Sequence, residues 1–113
     1  MLSETDKKTL LAIARTTVEA TVRGGPAPPV TVDSEALQTP CGAFVTLRNG
    51  DRLRGCIGTF TARGPLHETI REMAAAALRD PRFLINPVTA AELGQITVEI
   101  SALSPLEKVD DPL

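Results

Sequence analysis

Two short runs of alternating residues meet at Asn49-Gly50, and no other feature of the chain constrains its fold as much. Before the pair, Ala43, Val45 and Leu47 alternate with Phe44, Thr46 and Arg48; after it, Leu53, Gly55 and Ile57 alternate with Arg52, Arg54 and Cys56. Alternation with period two marks strands with one buried face, and Asn-Gly between two such runs marks a hairpin. Two registers are open. A two-residue Asn49-Gly50 loop pairs Arg48 with Asp51 and puts Leu53 on the face of Phe44 and Thr46. A three-residue loop, Arg48-Asn49-Gly50, pairs Leu47 with Asp51 and gathers Ala43, Val45, Leu47, Leu53, Gly55 and Ile57 on one apolar face. A slip of one residue turns every side chain over, so the cleaner segregation decides and the three-residue loop is expected. Cys56 then shares a face with Phe44, Thr46, Arg52 and Arg54, while Cys41 points the other way, which makes a disulfide between them geometrically difficult.

The flanking segments supply the other layer. Ser3, with Asp6 three residues later, opens a helix whose stripe is Leu10, Ile13, Ala14 and Thr17, with Leu11 and Val18 beside it. Gly24-Gly25-Pro26 ends it, and residues 24 to 40 read as a long loop in which Val30-Thr31-Val32 could form a short edge strand. Gly64-Pro65 starts a second helix with the stripe Leu66, Ile70, Met73, Ala74 and Ala77, stopped by Asp80-Pro81. Thr89-Ala90-Ala91-Glu92 is a second capping-box pattern and predicts one or two helical turns. Ile96, Val98, Ile100 and Ala102 alternate with Thr97, Glu99 and Ser101 in a half-buried strand ending before Pro105. The order helix, hairpin, helix, strand predicts an α+β fold, with helices on an antiparallel sheet.

Composition narrows the function classes. A chain of 113 residues, 42% hydrophobic and 23% charged, has room for one globular domain with a real core. No apolar run approaches the roughly 20 residues that span a bilayer. The first six residues carry acids where an export signal carries bases, so a cytoplasmic location is expected. A net charge of −2, with no Trp or Tyr and only Phe44, Phe60 and Phe83, argues against nucleic acid as a partner, although Arg48, Arg52, Arg54 and Arg63 gather near the hairpin. Cys41, Cys56 and the single histidine, His67, are too few for a zinc site built from Cys and His alone. Neither metal nor cofactor is expected. Phosphate-loop, dinucleotide and H-E-x-x-H patterns are absent, which removes most of the case for nucleotide hydrolysis or zinc proteolysis.

The segment Leu53-Arg54-Gly55-Cys56-Ile57-Gly58-Thr59-Phe60 sets a thiol between two glycines inside a strand. Glycine weakens a strand interior, so the pair signals a bulge or a close approach by another backbone or a ligand. With Gly42 to Leu47 ahead of the turn, Asp80-Pro81-Arg82-Phe83 after the second helix, and Ile96 to Pro105, this segment resembles the AMMECR domain family, whose bacterial members are called AmmeMemoRadiSam system protein A. The resemblance runs over roughly residues 3 to 109. It implies association with a Memo-like protein and a radical SAM protein. The family domain usually continues beyond Asp110-Asp111-Pro112-Leu113, so the resemblance implies an incomplete domain with an uncovered sheet edge. An open edge is a template for pairing, so dimerisation or other self-association is expected.

Cys56 is the catalytic candidate, because a thiolate is the reactive form and nearby cations such as Arg54 favour it. Its flanking glycines, Gly55 and Gly58, would let a substrate come close. The plainer reading is a small buried hydrophobe in a packed strand. A nucleophilic cysteine needs a base; the one imidazole, His67, falls in the first turn of the second helix, where a solvated helix-start residue is the ordinary reading. Arg54 could hold an anionic substrate or pair with an acid on the sheet. Thr59 and the backbone after Gly58 could make a small anion-binding nest, or simply a turn. Asp80 and Arg82 are expected to fix the helix end through local hydrogen bonds. Two functions follow: a binding component that presents a substrate or partner, or a cysteine-dependent enzyme with Arg54 as electrostatic helper.

Overall fold

A computed structural model describes residues 2–62, 64–103 and 106–110. Helix α1 spans Glu4–Val22. The Ser3 hydroxyl accepts the Asp6 N–H and the Asp6 carboxylate accepts the Ser3 N–H, so the capping box satisfies donors that a helix start leaves free. Ser34 joins this cluster and is the main cause of a lowered Asp6 pKa. The expected stripe is the buried one: Leu10, Ile13, Ala14, Thr17 and Val18. Gly24, at φ 82°, lets the chain turn off the helix.

The loop that follows contains a short helix, α2 (Glu35–Gln38), and Val30-Thr31-Val32 forms no strand. Its main chain is tied down by side chains instead: Gln38 Nε2 donates to Val32 O, and Arg71 donates to Ala27 O and Pro28 O.

Strands β1 (Ala43–Asn49) and β2 (Arg52–Thr59) form the hairpin. The loop is Gly50-Asp51, closed by Asn49 opposite Arg52, with Gly50 at φ 61°. A two-residue loop with glycine first at positive φ suits the twist of a hairpin, and it displaces the three-residue loop. The apolar face is recovered by a bulge. Arg48 faces Leu53 but Leu47 faces Gly55, so Arg54 is the extra residue. Gly55 and Ile57 thereby return to the side of Leu47 and Val45, while Leu53 crosses to the side of Arg48.

Helix α3 (Leu66–Ala77) buries Leu66, Ile70, Met73, Ala74 and Ala77 as its spacing requires. The Thr89 motif gives a 3-10 segment, Ala90–Gln95, without the capping box, because the Glu92 carboxylate is taken by Arg54 and Asn49. Strand β3 (Ile96–Leu103) alternates buried and half-buried throughout, and β4 (Leu106–Asp110), a strand that the sequence pattern did not announce, pairs beside it. The sheet is antiparallel in the order β2-β1-β3-β4. Helices α1 and α3 pack together over one face, around Val45, Leu47, Val98 and Ile100. The fold is α+β. Among the described residues no helix is long and apolar enough to cross a membrane.

Candidate functional site

Cys56 lies on β2, opposite Thr46 and on the sheet face away from the helices. Its thiol is half-buried and accepts a hydrogen bond from the Thr46 hydroxyl at 3.2 Å. Cys41 sits in the core, and both cysteines are free.

The main-chain N–H of Cys56 points along the outer edge of β2 and donates to Asp80 Oδ2 at 3.0 Å. Asp80 is only 2% exposed and accepts three further bonds, from Arg82 N, Nε and Nη2. The Arg82 guanidinium beside it, with the Cys56 N–H in support, holds the Asp80 carboxyl well below the usual carboxylate range against the opposing effect of burial. Arg82 is raised in turn, chiefly by its bonds to Asp80 and by the charge of that carboxylate. Asp80 and Arg82 do make the expected local hydrogen bonds, but they fix the start of the Pro81–Phe83 turn, while main-chain bonds close the end of α3. The same carboxylate also couples that turn to the thiol's own backbone. Through Asp80, the Arg82 guanidinium is tied to the main chain of Cys56.

Arg54 is elsewhere engaged. The bulge carries it inward, where it is 3% exposed and forms a two-bond pair with Glu92, at 2.7 and 3.1 Å, and a third bond to Asn86 O. Glu92 is lowered by that pair first, and Asn49 adds a further bond. A buried charge must be paired or it is costly. Of the two readings of Arg54, the pairing one describes its contacts. Arg52 lies opposite Asn49 and also leaves the face of Cys56.

The two glycines accommodate the protein itself. A Cβ on Gly55 would lie 2.1 Å from Ala77 O, so the end of α3 sits directly against β2. A Cβ on Gly58 would lie 2.2 Å from the Phe44 ring, which also meets Phe60 edge-on at 5.0 Å. Thr59 Oγ1 accepts the Thr61 N–H at 3.1 Å, the turn alternative to a nest. His67 is buried, against the solvated reading: Nδ1 stands 3.0 Å from Leu37 O and Nε2 lies 3.6 Å from Glu68. Among the described residues no hydrogen bond joins it to Cys56. The sequence reading put Cys56 on the sheet face of Thr46, but its register set Arg52 opposite Thr46 where the structure sets Cys56, and it missed the bond from the Cys56 N–H to Asp80. Arg63 lies outside the described residues.

The AMMECR1 family profile matches residues 11–113. The chain belongs to the AMMECR1 family. A protein of Methanosarcina acetivorans is 36% identical over 123 aligned positions, covering 99% of this chain and 58% of that protein. A Thermotoga maritima relative is 47% identical over 87, covering 74% of this chain and 49% of its own length. Among solved structures, the uncharacterized protein PH0010 from Pyrococcus horikoshii superposes with a TM-score of 0.76 at 32% identity, over 85% of this chain and 50% of that one. The chain spans about half the length of the relatives it matches.

Proposed function

We propose that this chain is a cytoplasmic, non-catalytic binding component that presents a substrate or a partner protein, with the Memo-like and radical SAM proteins of an AmmeMemoRadiSam system as its partners. The observation that carries the reading is the packing around Cys56. The spaces at Gly55 and Gly58 are filled by Ala77 and Phe44, and the imidazole is turned toward Leu37. A nucleophile needs a base within hydrogen-bond reach and room for the reacting group. Three exposed apolar side chains support binding. Phe60 follows β2 and is 84% exposed, and Leu84 and Ile85 stand out after the Pro81–Phe83 turn. The open part of the β2 edge also suits self-association.

The alternative, a cysteine-dependent enzyme, draws support from one arrangement: the Thr46 hydroxyl donates to the sulfur, and Asp80 ties the Arg82 guanidinium to the main chain of Cys56. In that case Arg82 takes the helper role first given to Arg54. A Cys56→Ser variant decides between them in the reconstituted system. The binding reading predicts unchanged turnover; loss of turnover with the fold and the partner affinity intact would establish the enzyme.

A further inference from the structure

The hairpin end at Asn49-Gly50 carries a chemistry of its own, independent of either reading of Cys56. An asparagine carboxamide is open to attack by the main-chain nitrogen that follows it, and glycine, without a Cβ, leaves that nitrogen the freest approach. Asparagine is accordingly counted among the thermolabile residues. The Gly50 nitrogen adds to Cγ of Asn49, its proton leaves with the amide as ammonia, and a cyclic succinimide closes. Water then opens either carbonyl of the ring, giving aspartate or isoaspartate. Overall one water is consumed and one ammonia released, with no change of oxidation state.

The structure leaves the glycine free and grips the asparagine. Gly50, at φ 61°, is exposed, and a Cβ built on it would meet nothing within 4 Å. Asn49 pairs through its main chain with Arg52 on one side and Ile96 on the other. Its Nδ2 donates to Glu92 Oε2 at 3.1 Å and to Gln95 Oε1 at 3.3 Å. Ring closure requires the Asn49 Cβ to eclipse the Gly50 nitrogen about the Cα–C bond, which extended strand backbone does not permit. The reaction therefore waits on local opening of the hairpin end, and its rate follows the fraction of chains that are open.

The product meets neighbours arranged for a donor. Glu92 Oε2 accepts from Asn49 and, at 2.7 Å, from Arg54 Nε. A carboxylate at position 49 donates nothing there and sets a second negative charge beside the first. Arg52, opposite Asn49, is exposed to water and compensates only weakly. Isoaspartate also adds a carbon to the main chain of the residue that closes the hairpin and joins β1 to β3, which puts both ladders out of step. We infer that Asn49 is a site of spontaneous deamidation, restrained by Glu92 and Gln95, whose conversion loosens the Arg54 corner of β2 ahead of Cys56.

Conversion is followed by mass spectrometry of the tryptic fragment Asn49–Arg52 and by methyl transfer from an isoaspartyl methyltransferase. The folded chain is compared with a synthetic peptide of residues 46–53 in the same mildly alkaline buffer. The peptide is expected to convert roughly tenfold faster or more, and Gln95→Ala should raise the folded rate several-fold. Equal rates for peptide and folded chain, or an unchanged folded rate in Gln95→Ala, would overturn the restraint. The consequence is read from the urea midpoints of Asn49→Asp and Asn49→Ala, because the second removes the same hydrogen bonds without adding a charge. Asn49→Asp is expected to unfold at a lower urea concentration than Asn49→Ala, or to fail to fold where Asn49→Ala folds. A midpoint equal to or above that of Asn49→Ala would overturn the loosening of the Arg54 corner.

Discussion

Asp80 is the residue on which the geometry around Cys56 turns. It satisfies one N–H on an edge strand and three donors of Arg82 while almost wholly buried. Hydrogen bonds to a charged group contribute roughly 1.5–3 kcal/mol each at most, and leaving buried donors unmet is costly. Asp80→Asn is therefore expected to lower unfolding free energy by about 2 kcal/mol at neutral pH, measured by urea titration. The pH dependence has a definite sign. A carboxylate held below its unfolded value of about 3.9 binds fewer protons when folded, so its contribution is complete above that value and is lost as pH falls below it. The parent chain should lose stability more steeply than Asp80→Asn below about pH 4. Parallel pH profiles for the two proteins would contradict this assignment.

At the scale of elements, periodicity was legible and everything set by tertiary approach was not. The stripes of α1 and α3 and the alternation of β3 follow from spacing alone, because one buried face imposes one period. The hairpin register was misread because local segregation favoured one loop. The chain uses another loop together with a bulge, and the bulge answers to Glu92, 38 residues away. Glu92 itself was read as half of a capping box, a local use that a buried arginine overrides. Gly55 was legible as a close approach, but not as an approach by α3. Gly55→Ala places a methyl against the Ala77 carbonyl, a main-chain atom that cannot swing aside. The substitution is expected to cost about 1–3 kcal/mol and to lower Tm by several degrees in a calorimetric scan; unchanged Tm would mean that β2 and α3 can part freely.

At the scale of the whole molecule, the sheet separates two kinds of surface. One face is sealed by α1 and α3; the other carries Cys56, Thr46, Phe44 and the Arg48–Glu99 pair, all half-buried or nearly so. Asp80 closes the β2 edge at Cys56, but among the described residues no side chain bonds the main chain of Gly58, and Phe60 beyond it is exposed. Self-association through this edge should rise with protein concentration in light scattering and fall in a Phe60→Lys variant, as charge on an edge strand discourages pairing. A single monomeric mass at every concentration would count against it. The central claim, that Cys56 is held by packing within a binding surface, is tested most directly by its alkylation rate against pH in a folded Cys41→Ser chain. The account predicts a slow rate in the folded state that rises sharply on unfolding. A fast rate in the folded state, already at its plateau near neutral pH, would reveal an activated thiolate and contradict the account.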